Sequence, residues 1–179
     1  MRTAYSFAAL ALVCAGCASQ QSLVLNPIRT VESVDLKQYA GTWYEVAAFP
    51  QPFDKPCDAA RADYSLREDG QLAVLSHCKK PDGVETLTQG VARIIDRSTN
   101  AKLEVSFSGP FWRDYWIIDL GDRYDYAVVS NAKRDGLWVL SRTPRIDEFT
   151  YRRILGRMER QGFEVSRLER KGLNELASK

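Results

Sequence analysis

Gly41-Thr42-Trp43-Tyr44-Glu45-Val46-Ala47-Ala48-Phe49 is the stretch on which the fold of this chain turns. A glycine lets the backbone turn in tightly, and the aromatic and β-branched run behind it has the make-up of a strand. Outward from it, runs rich in Val, Ile, Tyr, Trp and Phe recur with turn signals between them. Their spacing predicts strands near 42–49, 59–67, 71–78, 84–95, 102–108, 113–120, 124–130 and 137–142. The turns are Glu68-Asp69-Gly70, Pro81-Asp82-Gly83, Ser98-Thr99-Asn100, Gly121-Asp122 and Arg134-Asp135-Gly136, and their Asp-Gly pairs are hairpin signals. Roughly 13 residues per strand and turn is the spacing of an antiparallel meander. No helical pattern interrupts it, which excludes a parallel α/β sheet.

Alternation supports one apolar and one wet face. Leu103, Val105 and Phe107 alternate with Lys102, Glu104 and Ser106; Ala60, Ala62, Tyr64 and Leu66 alternate with Arg61, Asp63, Ser65 and Arg67. Small residues on the apolar parity (Ala60, Ala62, Gly90, Ala92) suit a cavity, while a close-packed sandwich with small facing large stays open. In Tyr115-Trp116-Ile117-Ile118-Asp119, an Asp119 facing water places Trp116 and Ile118 inside. Beyond Arg142 the period changes: Tyr151, Ile154, Leu155 and Met158 form one helix face, with Asp147 as N-cap and Gly162 as terminator. The outer face of that helix is basic, with Arg152, Arg153, Arg157 and Arg160; solvent or anionic lipid would satisfy it. Phe163 to Leu168 reads as one more strand.

The chain has 179 residues, 45% of them hydrophobic, which fits one domain with a real core. Lys+Arg 25 against Asp+Glu 23 leaves a net charge of +2, which argues against a nucleic-acid partner, since phosphate neutralisation needs a basic excess. Residues 1–16 read as an export signal: Arg2, then an apolar run from Phe7 to Val13 that is far short of the roughly 20 residues of a spanning helix. The run ends at Cys14-Ala15-Gly16-Cys17, the pattern of a bacterial lipoprotein signal, with Cys17 as the lipidated residue. Cys14 departs from the Leu usual at that place, and an ordinary secretory signal is the alternative. Ala18 after Cys17, where inner-membrane lipoproteins carry Asp, implies the outer membrane, lipid-anchored, with the domain facing the periplasm. Residues 17–34 then form the lipidated N-terminus and a tether, 35–170 the domain, and 171–179 a tail. Cys57 and Cys78 remain as an even pair in an oxidising compartment and are expected to form a disulfide. Neither sits in a C-x-x-C pair and His77 is the only histidine, so no metal site is expected.

Gly41-x-Trp43-Tyr44-Glu45 at the start of such a meander resembles the first lipocalin signature. Asp125-Tyr126 on the seventh strand is similar to the second, with Tyr124 where the family has Thr, and Arg142 closing the eighth strand is similar to the third. Ser106-Phe107-Ser108-Gly109-Pro110-Phe111, Asp114-Tyr115-Trp116 and Leu137 through Pro144 narrow the resemblance to bacterial outer-membrane lipoprotein lipocalins of the apolipoprotein D-like branch, from about Val34 to Leu168. The resemblance implies an all-β fold: an eight-stranded up-and-down antiparallel barrel with a C-terminal helix and a short final strand, open at one end over an apolar lumen. Gly41, Trp43, Asp125, Tyr126 and Arg142 are then expected to hold the fold, with the Arg142 guanidinium on the Trp43 indole.

Ala47, Phe49, Ala62, Tyr64, Val105, Phe107, Trp116 and Ile118 are the candidate ligand-lining residues, with Phe111 and Trp112 at the mouth. Such a lumen takes an acyl chain by desolvation, so a fatty acid or lysophospholipid is the expected ligand, for lipid storage, transport or membrane maintenance, with no cofactor, in a monomer or homodimer. The rival readings are a lipocalin-fold isomerase or synthase, a tetrapyrrole binder, and an envelope interaction lipoprotein with a filled barrel. Any catalytic histidine would have to be His77, and nothing marks a nucleophile beside it.

Overall fold

A computed structural model describes residues 26–51 and 57–171. The expected signal peptide, Cys17 and most of the C-terminal tail lie outside the described residues. A four-residue helix, α1 (Leu36–Tyr39), is capped by the Asp35 carboxylate, which accepts from Lys37 N–H at 2.9 Å. Gly41 then turns the chain at φ +102°, a conformation that glycine adopts freely, into β1 (Gly41–Ala48). The strands follow as a meander: β2 (Ala59–Leu66), β3 (Leu72–Lys79), β4 (Glu85–Ile94), β5 (Lys102–Ser106), β6 (Arg113–Leu120), β7 (Tyr126–Ser130) and β8 (Leu137–Ser141). Each pairs antiparallel with the next, β8 pairs back with β1, and β1 pairs with β2, so the sheet closes as an eight-stranded barrel with no free edge inside it.

Helix α2 (Glu148–Arg160) lies on the outside, started by Asp147, whose side chain accepts from Thr150 N–H at 2.9 Å, and followed by Gly162 at φ +84°. The expected strand over 163–168 is instead a 3-10 turn at Val165–Arg167, and pairing resumes only in β9 (Glu169–Arg170), against Ala47 and Ala48. The helix exit sets this delay: Phe163 N–H bonds back to Met158, which keeps the chain curled for several residues.

Two apolar clusters share the barrel wall. The inner one contains Tyr39, Trp43, Tyr64, Leu72, Leu103, Ile117 and Val129. The other packs α2 through Tyr151, Ile154 and Met158 onto Val46, Ala47, Ile118, Val128 and Val139. Two register shifts, at Glu45/Ala47 in β1 and Ile117/Asp119 in β6, decide which residues belong to which. Residues 26–34, the later part of the expected tether, run along the barrel: Ile28 and Val34 are buried, Val31 N–H donates to Ile117 O at 3.0 Å and Val34 N–H to Thr99 O at 2.8 Å.

Candidate functional site

One end of the barrel is sealed by side chains. Trp43 is fully buried and donates its indole N–H to Tyr39 O at 2.8 Å. The Arg142 guanidinium lies 3.8 Å above that indole and donates to Thr42 O at 3.0 Å, Tyr39 O at 3.2 Å and Tyr124 O at 3.1 Å. One cation thereby ties α1, β1 and the β6–β7 turn together, a geometry only the planar fork of arginine supplies. Tyr124 occupies a φ of +56° and accepts Asp35 N–H on its hydroxyl at 2.8 Å. The backbone of Asp125 accepts Arg142 N–H, while Tyr126 meets Arg157 of α2 at 2.9 Å, on the outer wall.

Above this seal three phenols meet. Tyr115 is 2.7 Å from Tyr39 and accepts from Tyr64 at 3.0 Å, oxygen to oxygen. Burial pushes the Tyr64 phenol up to about 12 and those of Tyr39 and Tyr115 well above the usual range, so all three stay neutral at ordinary pH. Three hydroxyls sharing two hydrogen bonds leave one proton of the set unspent.

From the phenols to the other end runs a lumen of about 1340 Å³, larger than the roughly 300–1,000 Å³ of drug-sized pockets. Ala48, Ala60, Ala62, Val105, Phe107, Trp138 and Leu140 give it an apolar wall. Ser76, Thr86 and Thr88 make one polar side, and Glu45 and Arg113 bring opposite charges into it. Lys171 Nζ stands 3.9 Å from the Glu45 carboxylate. The site therefore suits a molecule with an apolar body and a polar end.

Of the candidate residues, Ala62, Tyr64, Val105 and Phe107 line this lumen. Phe49 borders the mouth and also packs in the α2 cluster, under the Arg167 guanidinium at 4.5 Å. Ala47, Trp116 and Ile118 face α2, which reverses their expected parity. The bulge after Glu45 turns Ala47 outward and brings Ala48 to the lumen, while Glu45, before the bulge, shares the inward parity of Trp43. In β6 Asp119 does face outward, binding Arg157 of α2 at 2.6 Å, but the bulge at Ile118 puts Ile118 and Asp119 on the same outer face, so Tyr115 and Ile117 point in. Trp116 carries Lys102 over its ring at 4.5 Å, Trp112 stacks under Arg93 at 4.0 Å outside the lumen, and Phe111 is exposed at the rim. Glu45, Arg113, Tyr115 and Trp138 were not anticipated; the outward pairing of Arg93 with Glu104 on β4 and β5, followed across the sheet, could have placed Arg113 and Tyr115 inside.

Cys57 and Cys78 are joined by a disulfide, Cα to Cα 5.4 Å, which pins the start of β2 to the end of β3 at the mouth. His77 sits on the opposite face of β3, with Nε2 2.9 Å from Asp63 and Nδ1 3.1 Å from Glu85. Carboxylates occupy both ring nitrogens, so this histidine has none left for a nucleophile.

Known proteins share this architecture. Residues 34–172 match the lipocalin-like domain. The chain belongs to the lipocalin-like family. It is 40% identical over 141 residues to outer membrane lipoprotein Blc of Escherichia coli K12, covering 78% of this chain and 80% of that one. It is 32% identical over 146 residues to mouse apolipoprotein D, covering 76% of each. Among solved structures, insecticyanin from the tobacco hornworm Manduca sexta superposes with a TM-score of 0.69 at 18% identity, covering 85% of this lipocalin and 87% of that chain. That likeness speaks for the fold. Among the described residues, no helix of this lipocalin is long and apolar enough to cross a membrane.

Proposed function

We propose that this lipocalin holds a single-chain amphiphile, a fatty acid or a lysophospholipid, for storage, transport or membrane maintenance at the outer membrane. The observation that carries the reading is the lumen itself: sealed below by Trp43 and Arg142, apolar along Ala62, Val105 and Leu140, and charged at Glu45 and Arg113. An acyl chain fills the apolar part and gains about 0.8 kcal/mol per buried CH₂. Its polar end then lies among Glu45, Arg113 and Lys171, where opposite charges suit a zwitterionic or anionic headgroup. The Blc relatives are named outer membrane lipoproteins, which supports acylation of Cys17, anchoring in the outer membrane and a domain facing the periplasm. The reading is that of a binding protein and not of an enzyme.

Delipidated protein titrated with fatty acids and lysophospholipids of increasing chain length tests this. Affinity should rise by up to about 0.8 kcal/mol per added CH₂ until the lumen is full. Saturable binding without chain-length dependence, or no binding, overturns the proposal.

A further inference from the structure

We propose that the open rim of the barrel is a membrane-docking face, seated on a phospholipid bilayer with the mouth toward the lipid. Which membrane it meets, and the argument from chain reach, rest on the lipid-anchored reading above; where the chain leaves the barrel and the apolar rim rest on the structure.

The described chain begins at that rim. The Asn26 carbonyl accepts from Arg134, in the turn between β7 and β8 at the mouth, and the same guanidinium donates to Gln161 O at 3.0 Å. From there the segment descends the wall, through Arg29 N–H to Gln161 Oε1 at 3.0 Å, Val31 to Ile117 O, and Val34 to Thr99 O in the β4–β5 turn at the sealed end. The chain upstream of Asn26 therefore leaves from the mouth and not from the seal. Cys17 is nine residues upstream of Asn26, a reach of about 30 Å when fully extended. An eight-residue strand spans about 27 Å along its own length, and a tilt of about 35–45° reduces this to a barrel height of roughly 20 Å, so seating the sealed end on the anchor's membrane would consume about two-thirds of the reach, while seating the mouth leaves slack.

The rim also carries the surface that a bilayer requires. Phe111, in the β5–β6 loop, is 74% exposed; Leu87 and Val84, beside the β3–β4 turn, are 61% and 50% exposed. Exposed apolar side chains that rim a binding cavity mark an interaction site, and aromatic and aliphatic tips of this kind seat in the headgroup–acyl boundary. Ala132 N–H bonds to Asp114 at 3.1 Å, which braces the turn holding Asn26 against the strand that follows Phe111. Lys133 is exposed in the same turn, a cation suited to anionic headgroups. A mouth held there passes an amphiphile between bilayer and lumen with little exposure of its chain to water.

Protein purified from its host membranes is reconstituted on vesicles of phosphatidylethanolamine and phosphatidylglycerol, and its hydrogen–deuterium exchange is compared with vesicle-free protein. Protection concentrated at 80–84 and 107–112, with the sealed-end turns at 121–125 and 142–147 unchanged, supports the orientation. Protection at the sealed end, equal protection at both ends, or none overturns it. In Phe111→Asp the protection of 107–112 should fall severalfold; unchanged protection also overturns it. Mass spectrometry of the N-terminal peptide from the same sample reports acylation separately. An acylated chain with no mouth protection overturns the docking alone. A chain without acyl groups whose mouth is nevertheless protected supports the docking and overturns the anchor.

Discussion

The Arg142 guanidinium lies 3.8 Å above the indole of Trp43, and the same group donates to backbone carbonyls of three different segments. The stacking contributes about 0.5–2 kcal/mol, and a hydrogen bond from a charged donor about 1.5–3. Arg142→Lys keeps the charge but loses the fork and the planar stack, and should lower stability by about 2–4 kcal/mol in chemical denaturation. A loss below about 1 kcal/mol would mean that the seal is held by Trp43 burial alone.

The Cys57–Cys78 bridge closes a loop with a sequence separation of 21. In the chain-entropy model it contributes roughly 3 kcal/mol, by limiting the unfolded chain. Reduction, or the double variant Cys57→Ala with Cys78→Ala, should lower the denaturation midpoint accordingly. Non-reducing peptide mapping of periplasmically expressed protein should recover the linked pair.

The phenol cluster predicts an alkaline limit. The Tyr64 phenol is raised from 10.0 to about 12 by burial, and Tyr39 and Tyr115 are raised for the same reason. A raised folded-state value means that the native protein keeps its proton where the unfolded chain has lost it. The associated stability is complete below pH 10 and drains away as pH rises through about 12. Denaturant midpoints should therefore fall steeply between pH 10 and 12, together with a single cooperative tyrosinate absorbance change on unfolding. Tyr115→Phe removes the hydroxyl that both neighbours use, and should cost about 1–3 kcal/mol at neutral pH.

Much of this was legible in the sequence, and what escaped has a common cause. The eight strands and α2 fall within a few residues of their expected places because turn glycines, Asp-Gly pairs and the Asp147 cap act locally. Strand parity is not local. Val46 and Ile118 read as ordinary strand residues, yet at each the register slips and every side chain beyond changes face. Asp119 does face outward, toward Arg157 of α2, but the bulge just before it breaks the alternation by which an outward Asp119 would place Trp116 and Ile118 inside. Tyr39 and Tyr115 are 76 residues apart, and nothing in either neighbourhood announces their meeting.

The same inversion makes the last prediction. Trp138 and Trp43 border the lumen, whereas Trp116 packs in the cluster under α2, beneath Lys102. Trp138 sits toward the mouth, opposite Ala48 on β1, in the path of any chain that enters. Titration of delipidated protein with a long-chain fatty acid or lysophospholipid should change the Trp emission saturably. Trp116→Phe should leave that change in place, since its indole is screened from the lumen by the barrel wall. Trp138→Phe should remove much of it, with Trp43 reporting the remainder from the floor. If Trp116→Phe abolishes the signal and Trp138→Phe preserves it, the chain binds between α2 and the barrel and not inside, and the lumen loses its standing as the site.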